Sequence, residues 1–383
     1  MNFNFDLPVD RQGTHSLRWE KYAGRDVIPL WVADMDFRSP PAVIDALRRR
    51  AEHGVFGYTV PPPELIALIV ERMQRLYRWT VRPDWIVLLP GVVPGLYLAA
   101  NRLTRAEEHI LSPSPVYFHL PRATQSAPRA GSDVPMVLER GRWVWDEHRL
   151  AAAVQRNSRM LMLCNPHNPG GTIFSRDELA RIAAFAGQHD LLICSDEIHC
   201  DLLLDEGKPH VPIASLSPEV SRRTVTLMAP SKTFNIAGAG VAFAIIEDPG
   251  LRQAFSYDLK KSVHDANLFG YTAAVAAYRD GQPWLSALLD YLRGNRDLLE
   301  ATVARLPGVE MAHLESTYLA WIDCSGTGLA DPHAHFLKHG LGVSPGADFG
   351  APSFVRVNFG TQRSVLSSAL ERFERAVLAA RSG

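Results

Sequence analysis

The sequence predicts an α/β protein with a mostly parallel sheet, joined to a smaller α+β unit. Two observations carry this. Between about residues 85 and 247, short continuous apolar runs alternate with amphipathic ones. That is the pattern of strands buried on both faces and separated by helices. After residue 282 the alternation stops, and a long helical pattern is followed by isolated strand patterns. At 383 residues the chain has room for two or three folding units, taking roughly 150 residues per domain.

The predicted strands of the larger unit are 85–89, 109–111, 160–164, 191–195, 224–229 and 241–246. One helix opens at Ser175-Arg176-Asp177-Glu178, a capping-box spacing ahead of Leu179, Ile182 and Phe185. Another follows Pro94, with Leu96, Leu98, Ala99 and Leu103 on its apolar stripe. In the C-terminal part, 283–306 reads as a long helix, 313–323 and 354–358 as strands, and 362–381 as a final helix. The predicted division is a large domain over 45–282 and a small domain made of 1–44 with 283–383.

Composition removes several function classes. Apolar residues make up 46% and charged residues 21%, as in ordinary globular chains. Forty Lys and Arg against 41 Asp and Glu leave no general attraction to nucleic acid or to an anionic membrane. No run approaches the roughly 18 apolar residues of a membrane span. The first ten residues lack a basic region followed by an apolar one, so no secretory signal is visible. The four cysteines, Cys164, Cys194, Cys200 and Cys324, form no C-x-x-C pair. Reduced, buried thiols in a cytoplasmic protein are the expectation.

Chemistry must therefore sit in local motifs, and four of them follow predicted strands. They are Pro90-Gly91-Val92-Val93-Pro94, Asn165 through Gly171, Asp196-Glu197-Ile198-His199, and Pro230-Ser231-Lys232-Thr233-Phe234-Asn235. All four fall at the carboxyl ends of strands, where open α/β sheets bind ligands. Together they match the parts of pyridoxal 5'-phosphate (PLP). A lysine forms an imine with the aldehyde, and Lys232 supplies it. An acid beside the pyridine nitrogen keeps that nitrogen protonated and the ring an electron sink; Asp196 supplies it. Asn168 offers an amide to the phenolate oxygen, and Gly91, Val92 and Val93 offer backbone N–H groups to the phosphate at a helix start.

On these motifs the chain resembles the fold-type I PLP enzymes related to aspartate aminotransferase, and within them the cystathionine β-lyase and cystalysin-like branch of C-S lyases. Further carriers are Trp31-Val32-Ala33-Asp34-Met35-Asp36-Phe37, Phe56-Gly57-Tyr58-Thr59, Thr317-Tyr318-Leu319-Ala320-Trp321 and Val355-Arg356-Val357-Asn358. The resemblance runs nearly the whole chain in order. It implies a seven-stranded, mostly parallel sheet in the large domain. It implies Lys232 as the Schiff-base lysine, Asp196 on the pyridine nitrogen and Asn168 on the phenolate oxygen. It places Tyr117 as the ring stacked on the cofactor, with His199 also at the cofactor, in a position where many aminotransferases carry tyrosine. Gly91, Val92, Val93 and Ser231 become phosphate contacts, and Arg356 the holder of the substrate α-carboxylate. Tyr58 is implied to reach the phosphate of a neighbouring subunit, which makes the active unit a homodimer with shared sites. Two phosphate positions depart from many aminotransferases: Ala229 stands for a serine and Gly240 for an arginine. The missing arginine suits the C-S lyase branch. After Tyr117 the chain reads Phe118-His119-Leu120 in place of a Pro-Pro-Phe-like continuation.

Structural alternatives stand beside these readings. Asp196 suits a helix cap, Arg356 an exposed face of an alternating strand, and Tyr117 ordinary core. His199, Cys200 and Asp201 are adjacent, without the spacing of a metal site, so no metal is expected. His333, His335 and His339 read as the solvated face of a helix. The implied activity is α,β-elimination from cystathionine or related cysteine S-conjugates, giving thiol, pyruvate and ammonia. Lys232 acts there as general base on the Cα proton. An aminotransferase of the same fold uses nearly the same residues and is the nearest rival. A PLP protein with a mainly protein-binding role is the third class.

Overall fold

The computed structural model describes residues 3–126, 131–257 and 265–380. Helices α1 (Pro41–Glu52) and α2 (Pro63–Tyr77) precede the central sheet. That sheet has seven strands: β1 (Ile86–Leu89), β2 (His109–Ser114), β3 (Gly131–Pro135), β4 (Ser158–Cys164), β5 (Leu192–Asp196), β6 (Thr224–Met228) and β7 (Ala242–Ile245). Their order is β1-β7-β6-β5-β4-β2-β3. All neighbours are parallel except β7, which runs antiparallel to both β1 and β6. Helices α3 (Val92–Leu103), α4 (Arg176–Gln188) and α5 (Leu268–Asp280) belong to the same part of the chain.

The apolar runs are continuous because both faces are covered. On β4, Met160, Met162 and Cys164 join one buried cluster with Leu96 and Ala99 of α3, while Leu161 and Leu163 join another with Leu179 and Ile182 of α4. Ser175 caps α4 with the full capping box, its side chain accepting from Glu178 N while Glu178 accepts from Ser175 N. Glycine at 95 has a packing reason: a Cβ there would stand 2.8 Å from Leu227 Cδ2 and 3.0 Å from Leu89 Cδ1. It lets α3 lie close on the sheet.

Helix α6 (Gln282–Ala304) leads into a four-stranded antiparallel sheet of β8 (Glu310–Met311), β9 (Leu319–Asp323), β10 (Ser344–Pro345) and β11 (Phe354–Asn358), and α7 (Arg363–Ala380) ends the fold. The expected strand over 313–323 is confined to β9. Thr317 takes a left-handed φ of +70°, which interrupts an extended run before it starts. The N-terminal segment joins this unit: Ile28–Pro29 pairs in parallel with Leu341–Gly342, and Asn358 N donates to Leu30 O at 2.8 Å. The proposed boundary at 44/45 falls inside α1, which packs against α5. No helix among the described residues is long and apolar enough to cross a membrane, and all four cysteines are buried and unbridged.

Candidate active site

The carboxyl ends of β4, β5 and β6, the start of α3 and the small-unit strand β11 converge on one cavity of about 370 Å³. It is lined by Gly91, Val92, Val93, Tyr117, Asn168, Asp196, His199, Ser231, Lys232 and Arg356, every candidate named from the sequence except one. That one is Tyr58, which lies fully exposed on the loop between α1 and α2, away from the cavity.

Lys232 extends from the end of β6, and its Nζ donates to the Ala33 carbonyl at 2.5 Å. Tyr318 OH donates to the same oxygen at 3.0 Å. Burial lowers the amine's pKa to about 8, against the opposing pull of Asp34. The Ala33 carbonyl is held in place by a side-chain clamp on residues 31–37. Asn235 donates to Met35 O and Phe37 O and accepts from Met35 N, while Asn358 donates to Val32 O and Asp34 O. Arg18 is fully buried and donates to Pro29 O and Asp34 O. Sequence reading named the 31–37 motif but assigned it no role. Its signal was two asparagines directly inside motifs, Asn235 three residues after the lysine and Asn358 two after Arg356.

Asp196 is buried at the end of β5 and accepts from Ile198 N at 3.1 Å. Burial raises its pKa to about 7, and the Ile198 N–H and the charge of Lys232 offset this only in part. Arg356 has the opposite problem. It is 4% exposed and has no ion-pair partner among the described residues. Its Nη1 donates to Asn168 Oδ1 at 3.0 Å and its Nη2 to Trp31 O at 2.9 Å, while Nε is buried without a partner. Burial pulls its pKa down to about 10. Because Asn168 Oδ1 accepts from Arg356, the amide nitrogen of Asn168 remains as a donor. His199 is 2% exposed, its Nδ1 has no partner, and burial holds its pKa at about 3, so the ring is neutral.

Helix α3 begins at Val92 with no side chain capping it. Gly91 is extended (φ 178°), and a Cβ there would meet only Pro94 Cδ at an ordinary 3.5 Å. Neither backbone strain nor packing asks for glycine at 91, which leaves close approach of a ligand to the uncapped N–H groups as its use. Gly240 stands on the cavity wall with a left-handed φ of +62°.

Behind the lysine, Asp201 is spoken for. It pairs with Arg72 Nη2 at 2.5 Å and accepts from Thr233 Oγ1 at 2.9 Å. Glu197 is likewise taken up, by His210 Nε2 at 2.7 Å, with both side chains fully buried. One expectation is corrected. His333 and His335 do not form a solvated face: His333 lines the cavity with its Nε2 buried, and His335 Nε2 bonds to Ala376 O at 2.8 Å. The short helix Pro332–Lys338 packs against α7 and against strands β10 and β11, which a spacing of polar residues cannot show.

A family profile for aminotransferase class I and II matches residues 25–373. The chain belongs to that family. Cystathionine beta-lyase PatB of Bacillus subtilis is 36% identical, covering 98% of this chain and 100% of its own length. Among solved structures, OvoB superposes with a TM-score of 0.96 at 49% identity, covering 98% of this chain and 99% of its own. Cystalysin from Treponema denticola, which contains pyridoxal 5'-phosphate, gives 0.94 at 30% identity over 99% and 100%.

The family is PLP-dependent, and the residues present fit the cofactor. The cavity presents an amine of lowered pKa, a buried carboxyl with no ion-pair partner among the described residues, a free amide donor and an uncapped helix start. A cationic ring nitrogen is the partner that would return Asp196 to its charged form.

Proposed function

We propose that this protein is a C-S β-lyase acting on cysteine S-conjugates, cystathionine among them. The observation that carries the amino-acid part is Arg356: a buried guanidinium with an unpartnered Nε and no carboxylate partner among the described residues, lining the same cavity as Lys232. A substrate α-carboxylate completes it. The preference for elimination rests on similarity to proteins named as lyases.

When bound, PLP supplies the electron sink that acidifies Cα. Lys232, Ser231, Asn168, Asp196, Tyr117 and the 91–93 turn would hold it. The amine of Lys232, with a pKa near 8, takes the Cα proton close to neutral pH. Arg356 fixes the carboxylate, and with it the direction of the Cα–H bond. The Cβ–S bond then breaks with its electron pair leaving on sulfur as thiolate. The three-carbon remainder takes up water and is released as pyruvate and ammonia.

A homodimer belongs to the same reading. Val55, Phe56, Tyr58 and Val60 are exposed together on one loop, an apolar patch suited to a second subunit. Tyr58 would then complete the partner's phosphate site.

The test is incubation of the holoenzyme with L-cystathionine. Pyruvate and thiol without added keto acid support the lyase. Turnover only after a keto acid is supplied would establish an aminotransferase instead.

A further inference from the structure

The cavity does not end at Arg356. It is also lined by Lys21, Trp31, His333, Asp348 and Phe349; Trp31 and Phe349 help to hold Arg356, but the cofactor and the α-carboxylate leave Lys21, His333 and Asp348 without a use. Two of them bear opposite charges, and neither forms an ion pair with any described residue. Lys21 Nζ lies 4.2 Å from the centroid of the Trp31 ring, a cation–π contact that holds the ammonium at the cavity without neutralising it. Asp348 is exposed, and its charge acts on both Arg356 and His333. His333 also feels Lys21, so the imidazole stands within the fields of both charges. Its Nε2 is buried with no hydrogen-bond partner.

A subsite for a simple alkyl group has no use for such a wall. An unpaired cation, an unpaired anion and an orphaned ring nitrogen around one opening, with Trp31 and Phe349 as apolar flanks, match a ligand that carries both charges at the end of a short carbon chain. We propose that Lys21, His333 and Asp348 form a leaving-group subsite for thiols that carry an α-amino-acid group. Lys21 receives its carboxylate, Asp348 its ammonium, and His333 Nε2 a further hydrogen bond. The proposal rests on the C-S lyase reading and names its substrate class: conjugates in which sulfur joins cysteine to a second amino acid.

The experiment compares two substrates on the holoenzyme whose sulfur-borne chains match out to the second α-carbon. L-cystathionine carries the second ammonium and carboxylate, and S-propyl-L-cysteine lacks both. The expected result is a preference in kcat/KM for cystathionine that falls roughly fivefold or more in Lys21→Met and in Asp348→Asn, the scale of one lost charge-assisted bond. His333→Ala lowers the same ratio. Equal rates on the two substrates in the parent, or a ratio unchanged in all three variants, overturns the subsite. If the parent makes pyruvate from neither substrate, the lyase reading fails. The subsite is then decided by calorimetric binding of the two amino acids to holoprotein. A Kd for cystathionine that does not weaken in the variants refutes it.

Discussion

At the scale of single residues, the site is a set of groups each missing one partner. Arg356 spends two N–H groups on Asn168 and Trp31 and keeps a third unpaired. Arg356→Lys keeps the charge but loses the planar fork, so kcat/KM for the amino acid should fall roughly ten- to a thousandfold, at tenfold per about 1.4 kcal/mol. Much of the loss should appear in KM, because the carboxylate is bound in ground and transition states alike. Steady-state kinetics with pyruvate as the readout checks this; parent-level KM in the variant would remove Arg356 from the carboxylate. Asp196 offers a test that needs no substrate. Its carboxyl titrates at about 7 in the fold against an ordinary 3.8, so the folded state holds more protons between those values. Stability of the cofactor-free protein therefore falls as pH rises from about 4 to about 7. Lys232 works in the other direction. With its pKa lowered from 10.5 to about 8, it binds fewer protons in the fold, and stability recovers as pH rises through that interval. Melting midpoints against pH should lose the first slope in Asp196→Asn and the second in Lys232→Met. Variant curves running parallel to the parent's would contradict both assignments.

At the scale of elements, the decisive feature is how segment 31–37 reaches the end of β6. Asn235 sits in a left-handed conformation (φ +53°) and closes three hydrogen bonds on that segment. Asparagine tolerates this backbone better than most residues, and its amide matches one N–H and two carbonyls at once. Asn235→Ala should cost roughly 2–4 kcal/mol of stability by leaving those groups unsatisfied in a strained turn. It should also lower kcat, because the Ala33 carbonyl that holds Lys232 moves with the segment. Denaturant unfolding and turnover measured on one preparation decide it; a variant with normal stability would show that the clamp is dispensable. The β strands themselves were legible as apolar runs because the sheet is covered on both faces. The exception is β3, an edge strand reading Gly131-Ser132-Asp133-Val134-Pro135, in which only Val134 is buried. Its pairing with β2 alone leaves no apolar pattern to read.

At the scale of the whole molecule, the loop carrying Tyr58 is the feature the single chain leaves unexplained. Val55, Phe56, Tyr58 and Val60 are all more than half exposed. If they pack on a second copy, Tyr58→Phe should weaken cofactor binding several-fold while leaving the fold of each subunit intact, and the parent should sediment as a dimer. Full activity from a monomer at assay concentrations would refute the shared site.

The sequence by itself determined the class of chemistry. Lysine, aspartate and asparagine after successive apolar runs name a cofactor because imine formation, charge at a ring nitrogen and a hydrogen bond to a phenolate each demand one residue type. Six of the seven strands of the large sheet were legible as well, since burial on both faces leaves a mark in composition. Only the tertiary structure decided which partners those residues lack. That Arg356 pairs with no carboxylate among the described residues, that Asn168 is turned by Arg356, and that His333 lines the cavity with its Nε2 buried depend on segments far apart in the chain. Such vacancies are properties of packing in three dimensions: periodicity along a chain reports which face of an element is buried, but not what stands opposite it.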